Sequence, residues 1–165
     1  MKVLGIDPSL TGTGLAVLNS RGRIVDHTTI LTKPIRGTDR LTVIETVVRN
    51  WLRHLEPGDC VIMESPSYGS RTGNQHELAG LWWILMRAIV DRKNMLGGRL
   101  TIKTVAPRAR AKFITGNGNA DKKAVMAAVR ALFPQTQQGW DDNAIDALVI
   151  ALMAREELDV VKVYA

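Results

Sequence analysis

The chain is poor in the residues that build disulfide frameworks and metal–thiolate sites. It has one cysteine, Cys60, inside an apolar run, and three histidines in 165 residues. A single thiol excludes a disulfide scaffold and fits a reducing interior. With no Cys or His cluster, zinc is disfavoured. Long apolar runs are missing as well. No window approaches the roughly 18 apolar residues that span a bilayer. Only a few apolar residues separate Lys2 from Asp7 and Pro8, too few for the apolar region of a secretory signal. The expected compartment is therefore the cytoplasm (host cytoplasm for a viral protein), with no membrane partner. No internal repeat, low-complexity tract or long linker divides the chain, so residues 1–165 are expected to form one domain.

What is present suits a globular protein with a polyanionic partner. Hydrophobic residues make up 45% of the chain, and 22 Lys and Arg against 16 Asp and Glu leave a net charge of +6. Val3 to Ile6 reads as a buried strand, followed by a turn from Pro8 to Gly14. Leu15 to Leu18 and Arg23 to Leu31 read as a hairpin about Asn19-Ser20-Arg21-Gly22. Leu41, Ile44, Val48, Trp51 and Leu55 recur at helical spacing. Cys60 to Glu64 reads as a strand, and a helix from about His76 to Arg92 follows, with Trp82 and Trp83 expected in the core. Leu100 to Val105 is a fifth strand. Pro107 to Ile114, Ala120 to Phe133 and Asp141 to Glu157 read as helices. The expectation is an α/β fold: a mixed five-stranded sheet flanked by helices.

Acids stand where this pattern calls for apolar residues. Asp7 ends the first strand and Glu64 the fourth. Asp142 and Asp146 open the last helix, which is apolar nearly all round. An acid before Pro8, or at a strand end facing water, is ordinary taken alone, and acids favour helix starts. Asp146 is harder to explain, being more than a turn inside the helix. A buried carboxylate stays charged only beside a cation. Strand ends and a helix start can converge at one sheet edge, giving three or four carboxylates. That donor set suits Mg²⁺, with Mn²⁺ as substitute. Two such ions, about 3.5–4 Å apart, activate water for phosphodiester cleavage.

The same stretches carry a family resemblance. Gly5-Ile6-Asp7-Pro8-Ser9-Leu10-Thr11-Gly12-Thr13-Gly14 resembles the opening motif of RuvC-type Holliday junction resolvases. Ile62-Met63-Glu64 and Asp146-Ala147-Leu148-Val149-Ile150-Ala151 resemble later motifs, in the same order along the chain. Leu31-Thr32-Lys33 and the stretch from Lys112 through Gly116 and Gly118 to Lys122 are similar too. The resemblance implies an RNase H-like fold, a homodimer paired through the helix near 76–92, and Mg²⁺-dependent paired nicking of four-way DNA junctions in recombination and repair. Asp7, Glu64 and Asp146 match the family's metal-binding acids. Members usually carry Asp or His three residues before the last acid. Here that residue is Asn143, a neutral ligand that cannot act as a base. Asp142 is expected to stand in as the fourth carboxylate.

Arg108, Arg110, Lys112, Lys122 and Lys123 flank a glycine turn and are expected to grip DNA phosphates. The resemblance places lysines that contact DNA at Lys112 and Lys122. It also implies a stacking aromatic in the loop after Glu64, where Tyr68 is the candidate, and Arg71 in the same loop is expected to contact DNA as well. Three other readings compete. A broader nuclease for flaps and forks keeps the chemistry, and a non-catalytic junction binder keeps the fold. An actin-like ATPase or sugar kinase shares the Gly5–Gly14 pattern but needs two such domains.

Overall fold

The computed structural model describes residues 1–66 and 74–163, with side chains up to residue 156. A meander opens the chain: β1 (Val3–Asp7), β2 (Gly12–Leu18) and β3 (Ile24–Leu31). Helix α1 (Gly37–Leu52) leads to β4 (Cys60–Glu64), α2 (Gln75–Met95) and β5 (Thr101–Val105). Three helices complete the chain: α3 (Pro107–Thr115), α4 (Lys122–Leu132) and α5 (Asp142–Val163), with a 3₁₀ turn at Pro134–Thr136. The sheet order is β3-β2-β1-β4-β5. The β1–β2 and β2–β3 pairs are antiparallel, whereas β1–β4 and β4–β5 are parallel. The mixed sheet expected from the sequence is thus observed.

Alternation along the strands divides the core between the two faces. Val3, Ala16, Leu18, Cys60 and Ile62 pack against α5, with α3 and α4 behind it. Leu4, Ile6, Leu15, Val17, Val61 and Met63 pack against α1 and α2. A helix with no polar face has to be enclosed. Accordingly α5 is buried continuously from Ala144 to Ala151.

One strand and one side chain depart from the sequence reading. Strand β2 begins at Gly12, inside the stretch expected to be a turn. The reason is close packing. A Cβ on Gly14 would fall 2.0 Å from the Asn143 carbonyl oxygen, and one on Gly5 would fall 2.2 Å from that of Ala147. Glycines here let α5 lie on the sheet backbone rather than bend the chain. The second departure is Trp83, which is 66% exposed rather than in the core. Its neighbour Trp82 is partly buried and donates from Nε1 to the Glu64 carbonyl at 3.0 Å. That bond ties α2 to the end of β4.

Candidate active site

The first two acids meet because of strand parity. On β1, Val3 and Asp7 share a face; on β4, Cys60, Ile62 and Glu64 share one. Both are the α5 face, since Val3, Cys60 and Ile62 pack there. Gly5 is opposite Ile62 and Ile6 opposite Met63 in the parallel ladder. Asp7 and Glu64 therefore leave neighbouring strands at the same level. Beyond Asp7 the chain is held by Thr13, whose hydroxyl donates to the Ser9 carbonyl at 2.7 Å and accepts from the Ser9 amide at 3.2 Å. Thr32 adds a buried bond to the Leu10 carbonyl at 2.6 Å.

Helix α5 delivers the third acid. Asp141 precedes it and accepts from the Ala144 amide at 2.9 Å, satisfying an open N-terminal donor. The same carboxylate accepts from the Thr29 hydroxyl at 2.6 Å, pinning the helix start to β3. Asp146 follows more than a turn later and is 4% exposed. It is a buried acid facing Asp7 and Glu64.

Between the three stands Arg110 of α3. Its Nη1 lies 2.7 Å from Asp146 Oδ2 and 3.8 Å from Asp7 Oδ1, and its Nε is 3.2 Å from Glu64 Oε2. These are close charge pairs that are poorly aligned as hydrogen bonds. Nε and Nη1 of Arg110 and Oε2 of Glu64 are all buried without a hydrogen-bond partner. One guanidinium does not offset three buried carboxylates. Burial raises Asp7 well above the ordinary carboxylate value, and the charge of Glu64 adds to it, against Arg110. Burial likewise pushes Glu64 up to about 7, against the pull of Arg110. Asp146 is raised by burial too, opposed by Arg110 and Lys122. The site is short of positive charge.

That shortage fits a hard divalent cation. The donors are all carboxylate oxygens, and Glu64 Oε2 is a buried acceptor with no donor. Among the described residues no three acids, histidines or cysteines are placed so that they could hold a metal ion as they stand. Arg110 occupies the middle of the cluster instead.

Asp142 lies one turn before Asp146, but its carboxylate faces Lys122, with Nζ to Oδ2 at 2.7 Å. The bond from Lys122 holds Asp142 below its ordinary value. Asn143 tucks beside Gly12, its Nδ2 3.5 Å from Asp142 Oδ1. The structure thus brings Asp7, Glu64 and Asp146 together, with Asp142 at the rim.

Of the basic residues, Arg108, Lys112, Lys122 and Lys123 are exposed around the Gly116 turn. Arg110 is the correction: expected on the DNA-facing surface, it turns inward, its side chain 14% exposed. A signal for this was present. Positions 108 and 112 are one helical turn apart and share a face, whereas 110 lies about 200° round from 108. Tyr68 and Arg71 lie outside the described residues.

A family model described as crossover junction endodeoxyribonuclease RuvC matches residues 3–154. A curated relative of that description from Frankia alni is 31% identical, over 92% of this chain and 76% of its own length. Thermus thermophilus RuvC superposes with a TM-score of 0.73 at 23% identity, covering 96% of each chain. The structure described as T. thermophilus RuvC in complex with Holliday junction substrate gives 0.68 at 24% identity, over 95% of this chain and 96% of that one. Both likenesses establish the RNase H-like fold.

Proposed function

The chain belongs to the RuvC family, the crossover junction endodeoxyribonucleases, and we propose that it cuts four-way DNA junctions by metal-dependent hydrolysis at Asp7, Glu64 and Asp146. The observation that carries this reading is their convergence from β1, β4 and α5 into one buried, cation-deficient cluster. Mg²⁺, with Mn²⁺ as substitute, is the cofactor in this reading, two ions per site. Asp142 is the fourth carboxylate and has to exchange its Lys122 partner to serve. When bound, divalent ions acidify water and stabilise the charge that develops on the scissile phosphate.

The chain's own residues supply the rest. Asp7 and Glu64 are held by the parallel ladder and Asp146 by the pinned helix, so all three present fixed oxygens. Arg108, Lys112, Lys122 and Lys123 bind backbone phosphates. Tyr68 stacks at the junction, with Arg71 as a further phosphate contact. Two copies acting together make the paired nicks. An exposed face of α2 supports this pairing, because Trp83 stands free on it among exposed Ala79 and Arg87.

The test is cleavage of four-way junction, fork, flap and linear duplex DNA by the wild-type protein in Mg²⁺ and in Mn²⁺. Symmetric nicks in the junction with intact duplex are expected. Preference for flaps or forks would replace the reading with a broader nuclease. Tight junction binding with no cleavage in either metal would make the chain a junction binder.

A further inference from the structure

Arg110 does not occupy the place expected of a DNA-gripping cation. It starts on α3, a helix whose exposed face carries Arg108 and Lys112, yet turns away from both into the acids. Its Nη1 and Nε span three carboxylates from three elements, at 2.7, 3.2 and 3.8 Å. A divalent ion held by the same oxygens would need the space between them that the guanidinium now fills. The two cations would also repel one another there, and more strongly for the site being buried.

We propose that Arg110 is a built-in counter-cation that competes with metal for the Asp7–Glu64–Asp146 cluster, so that metal entry requires the guanidinium to leave. This rests on the reading of those acids as the metal site. In the metal-free protein Arg110 offsets part of the carboxylate repulsion and holds the strand ends against α5. Its poorly aligned contacts, with Nε and Nη1 lacking hydrogen-bond partners, make it displaceable. A DNA phosphate is the replacement anion of matching chemistry, since guanidinium pairs with phosphate as readily as with carboxylate. Arg110 is thus a positioning residue that sets metal affinity.

The experiment measures Mn²⁺ binding without DNA, by calorimetry and electron paramagnetic resonance, on wild type, Arg110→Gln, Asp146→Asn and Arg21→Gln. Thermal melts in a chelator are run alongside. The expected result has opposite signs. Arg110→Gln melts at a lower temperature than wild type without metal, yet binds Mn²⁺ about tenfold more tightly or better. Arg21→Gln, the same charge change on the exposed β2–β3 turn, leaves the affinity near wild type. A folded Arg110→Gln with unchanged or weakened affinity overturns the proposal. So does an equal gain in Arg21→Gln, which would reduce the effect to net charge. If Asp146→Asn binds as wild type does, or no variant binds, the metal-site reading itself falls, and the proposal with it.

Discussion

The residues that define the site differ in how openly the sequence displays them. Asp7, Glu64 and Asp146 stand out because each interrupts an apolar pattern, and buried acids are costly enough to need a reason. Arg110 is less visible, because one basic residue among Arg108, Arg110 and Lys112 shows its charge without its direction. Only helical phase separates it from its neighbours. Gly5, Gly12 and Gly14 are hidden differently: their role is to have no side chain where α5 lies on the sheet. Gly5→Ala places a methyl group 2.2 Å from the Ala147 carbonyl and 2.8 Å from the Ala151 amide, both backbone. It is expected to lower stability by about 1–3 kcal/mol, measured by chemical denaturation. It should also slow cleavage by displacing Asp146. Wild-type stability in this variant would mean that α5 is free to move outward.

Among the elements, strands β1 and β4 and the buried helix α5 were legible in the sequence, because an apolar run or an all-round apolar helix leaves few alternatives. The start of β2 was not, since glycine and threonine favour turns locally and only the packing of α5 makes them strand here. The exposure of Trp83 was also hidden. Helical spacing puts Leu81, Leu85, Ala88 and Ile89 on one buried stripe in the core, but a tryptophan beside them looks like core until its angle round the helix is known. The two faces of α2 do separate jobs. The inner one anchors β4 through the Trp82 bond to the Glu64 carbonyl. The outer one carries Trp83, the surface proposed for pairing. Trp83→Asp should shift the protein from dimer to monomer in sedimentation, with helical content unchanged, because an interface loses affinity when a central aromatic is replaced by a charge. A dimer that survives this change would place the interface elsewhere.

For the whole molecule, the charge imbalance and the topology point the same way. The net charge of +6 coexists with a cluster where acids outnumber cations, Arg110 standing among them and Lys122 at the rim. A basic exterior favours the approach of a polyanion, and the carboxylates proposed as the cutting site would need a metal to receive its scissile phosphate. The fold class followed from the order of elements, and the chain's family from motifs spread over nearly its whole length. Which acids share a face followed from strand parity, already present in the sequence. The partner of Asp142 did not, because Lys122 lies 20 residues away on another helix and only the tertiary fold brings them to 2.7 Å. Asp7, Glu64 and Asp146 are proposed to act as one metal-dependent cutting site. The most direct test of that role is single-turnover cleavage of a four-way junction in Mg²⁺ by Asp146→Asn, with junction binding measured on the same preparation. Binding near wild type is expected, with cleavage slower by about a hundredfold or more, since losing a metal-holding carboxylate removes several kcal/mol of transition-state stabilisation. Cleavage at the wild-type rate would contradict that role.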